Sequence, residues 1–175
     1  MTGFTLPIPV IETERLLLRG PREDDFEAHA TFMASDRSGF VGGPQDRWGS
    51  WRGLLGQFGH WALRGFGFWT VTARKTGEPL GKTGFIDNDG WDETELGWHV
   101  YEQAEGKGIA FEAVQAVRAY GAEKRGLDGV ISYIDPANTR SVKLAERLGA
   151  TFERTGEVVG KPCHVYRHPK VRGVA

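Results

Sequence analysis

The sequence predicts an α/β domain with a mixed sheet, and three stretches carry that reading. Residues 96–101, Leu-Gly-Trp-His-Val-Tyr, form a short aromatic and branched run of strand character. Residues 111–120 place apolar side chains at Val114, Val117 and Tyr120 among strong helix formers, the pattern of an amphipathic helix. Residues 129–134, Gly-Val-Ile-Ser-Tyr-Ile, then read as a buried strand. A strand, a crossover helix and a second strand make a βαβ unit, so those two strands are expected to be parallel. Upstream, residues 68–73 and 80–86 flank Thr76-Gly77-Glu78-Pro79 as an antiparallel hairpin, which makes the sheet mixed.

Length and composition narrow the function. A chain of 175 residues is one ordinary domain, 1–175, with room for a core. Its net charge of -1 and pI of about 6.5 leave no electrostatic footprint for nucleic acid. The single cysteine, Cys163, excludes an intramolecular disulfide framework and a cysteine zinc site, which fits a reducing interior, and cytoplasm is the expected location. No apolar run approaches the roughly 20 residues of a membrane span, and residues 1–7 lack the charged start and apolar stretch of a signal peptide. No membrane partner is expected.

Taken in order, Leu16-Leu17-Leu18-Arg19 reads as a first strand, and residues 21–26 turn into a helix through about Met33 with acids in its first turn. Residues 36–67 form a segment in which glycines alternate with aromatic residues. A helix from about Asp46 to Arg64 fits there, with Trp51, Leu54, Leu55, Phe58, Trp61 and Ala62 on one stripe, although its glycines weaken it by about 1 kcal/mol each. Trp48, Trp51, Phe58, Trp61, Phe66 and Trp69 outnumber what one helix face can bury, so some rings are expected beside a ligand or at a homodimer contact. Gly77-Glu78-Pro79-Leu80-Gly81-Lys82-Thr83 imitates a phosphate-binding P-loop, but it is one residue short and continues as strand where a helix is required. Residues 87–93 imitate a calcium loop, but the glycine comes too early, and a polar turn is the better reading. The last strand is expected over residues 163–168, with Pro162 marking the turn before it.

Between the strand at residues 96–101 and its helix lies Glu105-Gly106-Lys107-Gly108-Ile109-Ala110. Glycines permit close backbone approach and the first amides of a helix have no intrahelical partner, so this junction can bind phosphate; a plain strand-to-helix turn is the alternative.

The glycine loop, the strand at residues 129–134 and the stretch from Asp135 to Phe152 together resemble the GNAT superfamily of acetyl-CoA-dependent N-acetyltransferases, most closely the branch with the ribosomal-protein alanine N-acetyltransferases. The resemblance runs from residue 13 to residue 167. It implies a GNAT fold: an α/β (α+β) architecture with a central, mostly antiparallel twisted sheet of six to seven strands, helices on both faces, and fourth and fifth strands that are parallel and splay apart. The family's diphosphate loop, [QR]-x-x-G-x-[GA], fits from Gln103 to the letter and from Glu105 with glutamate at its first position. The second register is preferred because its Gly-Lys-Gly-Ile-Ala runs straight into the helix. Glu105 should then contribute backbone only, or point to solvent, because its carboxylate would repel a diphosphate.

The same resemblance implies acetyl-CoA as cosubstrate and no metal. It places pantetheine contacts on the backbone of Trp98, His99 and Val100, and diphosphate contacts at Gly106, Lys107, Gly108, Ile109 and Ala110. Asn138 would bond either pantetheine or its own helix start. Ser141 would donate a proton to the departing thiolate or bond within its helix. Residues 36–67 would form the acceptor-side wall. Glu95 matches a glutamate that some relatives use, through water, to take the amine proton, and an amine needs a free lone pair to attack a thioester. By strand alternation His99 shares that face and is a second candidate base. Of the five histidines only His164 and His168 stand at i,i+4, and they fall in an expected strand rather than on the helix that the metal motif needs. The implied activity is direct acetyl transfer to a primary amine of a protein N-terminus or a small molecule. The alternative is a non-catalytic CoA-binding sensor or structural domain.

Overall fold

Alternating apolar residues build the sheet around which the chain folds. The structure, a computed structural model, describes residues 6–171, so the first five residues of the 1–7 start considered above lie outside it. Strands β1 (Ile11–Glu12), β2 (Leu16–Arg19), β3 (Phe68–Ala73), β4 (Pro79–Ile86), β5 (Glu95–Val100), β6 (Ile131–Ile134), β7 (Thr151–Val158) and β8 (Lys161–Arg167) form one sheet in the order β1-β2-β3-β4-β5-β6-β8-β7. Eight strands exceed the six to seven expected, because the two-residue β1 and the edge strand β7 carry too little apolar alternation to announce themselves. All pairings are antiparallel except β5 with β6.

The helices are α1 (Phe26–Ala34), α2 (Arg47–Arg64), α3 (Ile109–Arg125) and α4 (Thr139–Arg147). Helix α2 starts where Asp46 accepts a hydrogen bond from the Gly49 N–H and ends at left-handed Gly65, close to the expected boundaries. Leu16, Leu18, Trp69, Val71, Phe85 and Leu96 project from one sheet face into a core completed by Val114 and Val117 of α3. Gly121 of α3 lies so close to Phe85 that an added Cβ would stand 2.3 Å from the ring, so a side chain there would push the helix off the sheet.

The opposite face is different. The strand registers align Arg19, Thr70, Lys82 and His99 as a row of polar residues across β2 to β5. Helix α1 covers that row: the Phe32 ring stacks on His99 at 4.6 Å, and buried Asp25 just ahead of α1 accepts two hydrogen bonds from Arg19 and one from the Thr70 hydroxyl. Burial opposes ionisation of Asp25, but these bonds and one from the Arg22 N–H hold its carboxyl below the usual value.

Two corrections concern the C-terminal hairpin. The turn joining β7 and β8 is Val159-Gly160, with φ of 50° and 72°, a reversal that suits the twist of an antiparallel pair. Pro162 is not in that turn; it sits inside β8 opposite Glu157, at an end where β8 pairs with β7 alone and a missing N–H is tolerated.

Candidate active site

The parallel pair β5 and β6 shares one register pair, Glu95 opposite Ile131, and then separates. At the base of the split the Ser132 hydroxyl donates to the Leu96 carbonyl at 2.5 Å. Two cavities meet at this parting, one of about 470 Å³ and one of about 740 Å³, and both are lined by Trp98, His99, Asn138 and Ser141. The sheet splits where a ligand backbone could take the place of the missing strand partner.

The larger cavity opens beyond the ends of β5 and β6. Val100, Glu105, Gly106, Gly108, Ile109 and Ala110 line it, with Arg37, Arg140, Lys143 and Arg147 around them. Gly106 and Gly108 have φ of 72° and 75°, and Gly108 is the N-cap of α3 with no capping side chain. The leading amides of α3 are therefore left for a ligand, and a helix start ringed by cations suits the phosphates of CoA. Lys107 departs from expectation: it does not line the cavity, and its carbonyl accepts from Arg15 at 2.9 Å. Glu105 departs too. Its carboxylate neither turns to solvent nor stands free against a phosphate, but is paired with both Arg37 and Arg140, the latter at 2.5 Å.

The smaller cavity lies between residues 39–57, the β5–β6 edge and the β7–β8 hairpin. Glu95 stands in it, half-buried, accepting a hydrogen bond from the Trp91 indole at 2.8 Å. Burial pushes its carboxyl up to about 7, although the Trp91 bond and the Tyr133 backbone favour the charged form. A carboxylate with that pKa is matched to accepting a proton at neutral pH. The β4–β5 ladder runs without interruption from Glu95 to Val100, so Glu95, Gly97 and His99 do share a face. Burial, with Lys82 nearby, lowers the His99 pKa to about 3, and an imidazole so reluctant to charge is a poor base.

Asn138 caps α4, its side-chain oxygen accepting from the Ser141 N–H at 3.2 Å, while Ser141 faces both cavities. Cys163 lines the smaller cavity; burial, then the charge of Glu95, pushes its thiol up and away from the thiolate a nucleophile requires. Among the described residues no group of three or more His, Cys, Asp or Glu could hold a metal ion.

The tryptophan-rich segment corrects another expectation. None of Trp48, Trp51, Phe58, Trp61, Phe66 or Trp69 lines the smaller cavity, whose aromatic walls are Phe40, Phe68, Trp91, Trp98 and Tyr133. Trp61 and Trp69 pack edge to face at 4.7 Å in the core, Trp51 packs on Phe26, and Trp48 is exposed. Leu55 of the expected stripe is exposed as well, and α2 turns Gly53 and Gln57 toward the cavity instead.

Residues 15–151 match the family profile described as an acetyltransferase (GNAT) domain. The chain belongs to the GNAT acetyltransferase family. Among solved structures it is similar to an acetyltransferase from Agrobacterium tumefaciens, with 36% identity, 97% of this chain and 99% of that one covered, and a TM-score of 0.86. It is 32% identical over 104 residues to the uncharacterized protein YkkB of Bacillus subtilis, a match spanning 58% of this chain and 60% of that protein. The match thus spans less than two thirds of that curated relative. A ribosomal-protein-S5-alanine acetyltransferase from Vibrio fischeri, at 15% identity and a TM-score of 0.71 over 94% of this chain and 98% of that one, shares the fold. The GNAT fold is here a mixed eight-stranded sheet with one parallel pair, and the GNAT family uses acetyl-CoA. Among the described residues no helix is long and apolar enough to cross a membrane.

Proposed function

We propose that this protein is an N-acetyltransferase that moves the acetyl group of acetyl-CoA directly to a primary amine. The observation that carries the reading is the meeting of a phosphate-ready cavity with a second cavity holding Glu95, at the point where β5 and β6 part. The CoA diphosphate binds the amides of Gly106, Gly108, Ile109 and Ala110, with Gly106 and Gly108 giving the close approach. The pantetheine arm bonds the backbone of Trp98, His99 and Val100 along the open edge of β5.

The acceptor enters the smaller cavity as an ammonium, and Glu95 takes its proton directly or through water. The freed lone pair attacks the thioester carbonyl, a C–N bond forms and the C–S bond breaks; Ser141, which lines both cavities, gives its hydroxyl proton to the leaving thiolate and regains one from the second proton that the nitrogen sheds, relayed by water. Asn138 holds the start of α4 and with it Ser141. The His99 ring, stacked on Phe32, positions β5 rather than exchanging protons. A protein N-terminus and a small-molecule amine are both acceptors of the required chemistry.

The test is a thermal-shift titration with acetyl-CoA and CoA, followed by thiol release in the presence of amine mixtures. Stabilisation by acetyl-CoA together with amine-dependent thiol release is the expected result. Stabilisation without release for any amine class would instead make the chain a CoA-binding domain without catalysis.

A further inference from the structure

The smaller cavity has a second end, under α1 and α2, that the transfer reaction does not use. His29, Met33, Gln45, Gly53, Gln57 and His99 line it. His29 is 4% exposed and neither of its ring nitrogens has a hydrogen-bond partner; Nε2 of His99 has none either. Unpaired buried nitrogens cost the fold free energy unless something fills the site. Behind Gln57 stands Lys82, 1% exposed, whose ammonium donates to the Gln57 side-chain oxygen at 2.7 Å. That bond turns the Gln57 amide so that its N–H groups are left for the cavity.

The charges here do not cancel. Asp25 is committed to Arg19 by a bidentate pair and to Thr70, so Lys82 is the cation of the row without a carboxylate of its own. Burial and the Lys82 charge lower the His29 pKa to about 4, against a long contact with the Ser50 backbone that falls short of a hydrogen bond and the charge of Asp25, so neither histidine adds charge near neutrality. Lys82, which burial leaves about half charged near neutrality and which an anion would hold charged, an amide donor and two imidazoles together suit a singly charged anion with two oxygens. A phosphate dianion would bring more charge than the site offsets.

Taking the smaller cavity as the acceptor site proposed above, we propose that its end at His29, Gln57 and His99, backed by Lys82, is a subsite for a carboxylate carried by the acceptor. Glu95 and His99 are four residues apart on one face of one strand, roughly 13 Å, and hydrogen bonds at the two ends shorten the span the acceptor itself must cover. The acceptor is therefore an amine and a carboxylate separated by a chain of several atoms, an ω-amino acid or a short peptide of like span. An α-amino acid, with both groups on one carbon, cannot reach both ends.

Two measurements test this. In the first, kcat/KM is compared for 6-aminohexanoate and hexylamine, in wild type and in Lys82→Met and Gln57→Leu. Wild type is expected to prefer 6-aminohexanoate at least tenfold, and each variant to lower that ratio at least fivefold. A wild-type preference for hexylamine, or a ratio unmoved in variants that fold, overturns the subsite. In the second, unreactive hexanoate is titrated into wild-type protein while the imidazole nitrogen resonances of His29 and His99 are followed by NMR. Saturable shifts of both, weakened in Lys82→Met, are expected, and no shift in wild type overturns the proposal. The second measurement needs no turnover. Shifts without any acetyl transfer would sink the proposed reaction and leave the subsite standing, whereas transfer to amines without shifts would do the reverse.

Discussion

Replacing Lys82 by methionine should make the protein more stable, and the size of the gain follows from the burial. The lysine is 1% exposed, and burial, opposed by Asp25 and assisted by Arg19, drops its pKa from 10.5 to about 7. At about 1.4 kcal/mol per tenfold, holding the charge there costs the fold roughly 5 kcal/mol. The sign follows from proton counts. Below pH 7 the lysine is charged in both folded and unfolded chains and the full cost is present; between 7 and 10.5 only the unfolded chain holds the proton, so the cost shrinks as pH rises. Methionine has a similar length and no charge, but it forfeits the bond to Gln57 and leaves that amide unpaired, a loss of about 1–3 kcal/mol. The net gain at pH 6 is therefore about 2–4 kcal/mol, or roughly 5–15 °C in Tm for a domain of this size. It should nearly vanish by pH 10, where the loss of the Gln57 bond takes over. Urea or thermal melts of both proteins at pH 6 and pH 10 read this directly. A variant less stable than wild type at pH 6, or a difference independent of pH, would refute the reasoning. A stabilising substitution that also erodes carboxylate binding would show a buried charge kept for function at the expense of stability.

Other perturbations probe the two cavities separately. Gly108→Val puts a branched side chain at φ of 75°, a strain of about 1–2 kcal/mol or more, with its Cβ against the Arg15 guanidinium, and so distorts the loop whose amides meet the diphosphate; calorimetry should show acetyl-CoA binding at least tenfold weaker, and wild-type affinity in a variant shown folded by circular dichroism would place the site elsewhere. Glu105→Gln frees Arg37 and Arg140 from their carboxylate, so acetyl-CoA should bind severalfold tighter at low salt, with the gain fading as salt rises; unchanged or weaker binding would mean the paired carboxylate organises the loop. Trp91→Phe removes the bond that favours ionised Glu95, so the acidic limb of the kcat/KM profile should move up by about 0.5–1 pH unit; a limb that stays in place would detach Glu95 from that ionisation.

The parts legible in the sequence were those whose local chemistry agrees with the fold. Helix α2 could be bounded because Asp46 caps its start and Gly65 its end, and the loop before α3 because glycines stand where φ turns positive. β7 was invisible for the opposite reason: TFERTGEV is an exposed edge strand with no apolar alternation, held by its pairing with β8. The rings from Trp48 to Trp69 looked like a cleft wall because periodicity marks a stripe without saying what it faces, and α2 buries Trp61 while presenting Gly53 and Gln57 to the cavity. Glu105 could not be placed because its partners Arg37 and Arg140 are 68 and 35 positions away in the chain. Lys82 did leave a signal. Its neighbourhood imitates a P-loop, but the physical signal is a lysine amid buried strand residues, which needs a partner to offset its burial.

The central claim is that Glu95 accepts the proton of an amine attacking acetyl-CoA, and Glu95→Gln tests it most directly. The substitution keeps the shape of the side chain and removes its capacity to take a proton. With a responsive amine, turnover should fall roughly 10² or more, while acetyl-CoA affinity stays nearly unchanged. Wild type should lose activity as pH falls through about 7, and the variant should lack that limb. An unaltered rate and an unaltered pH profile in Glu95→Gln would contradict the account.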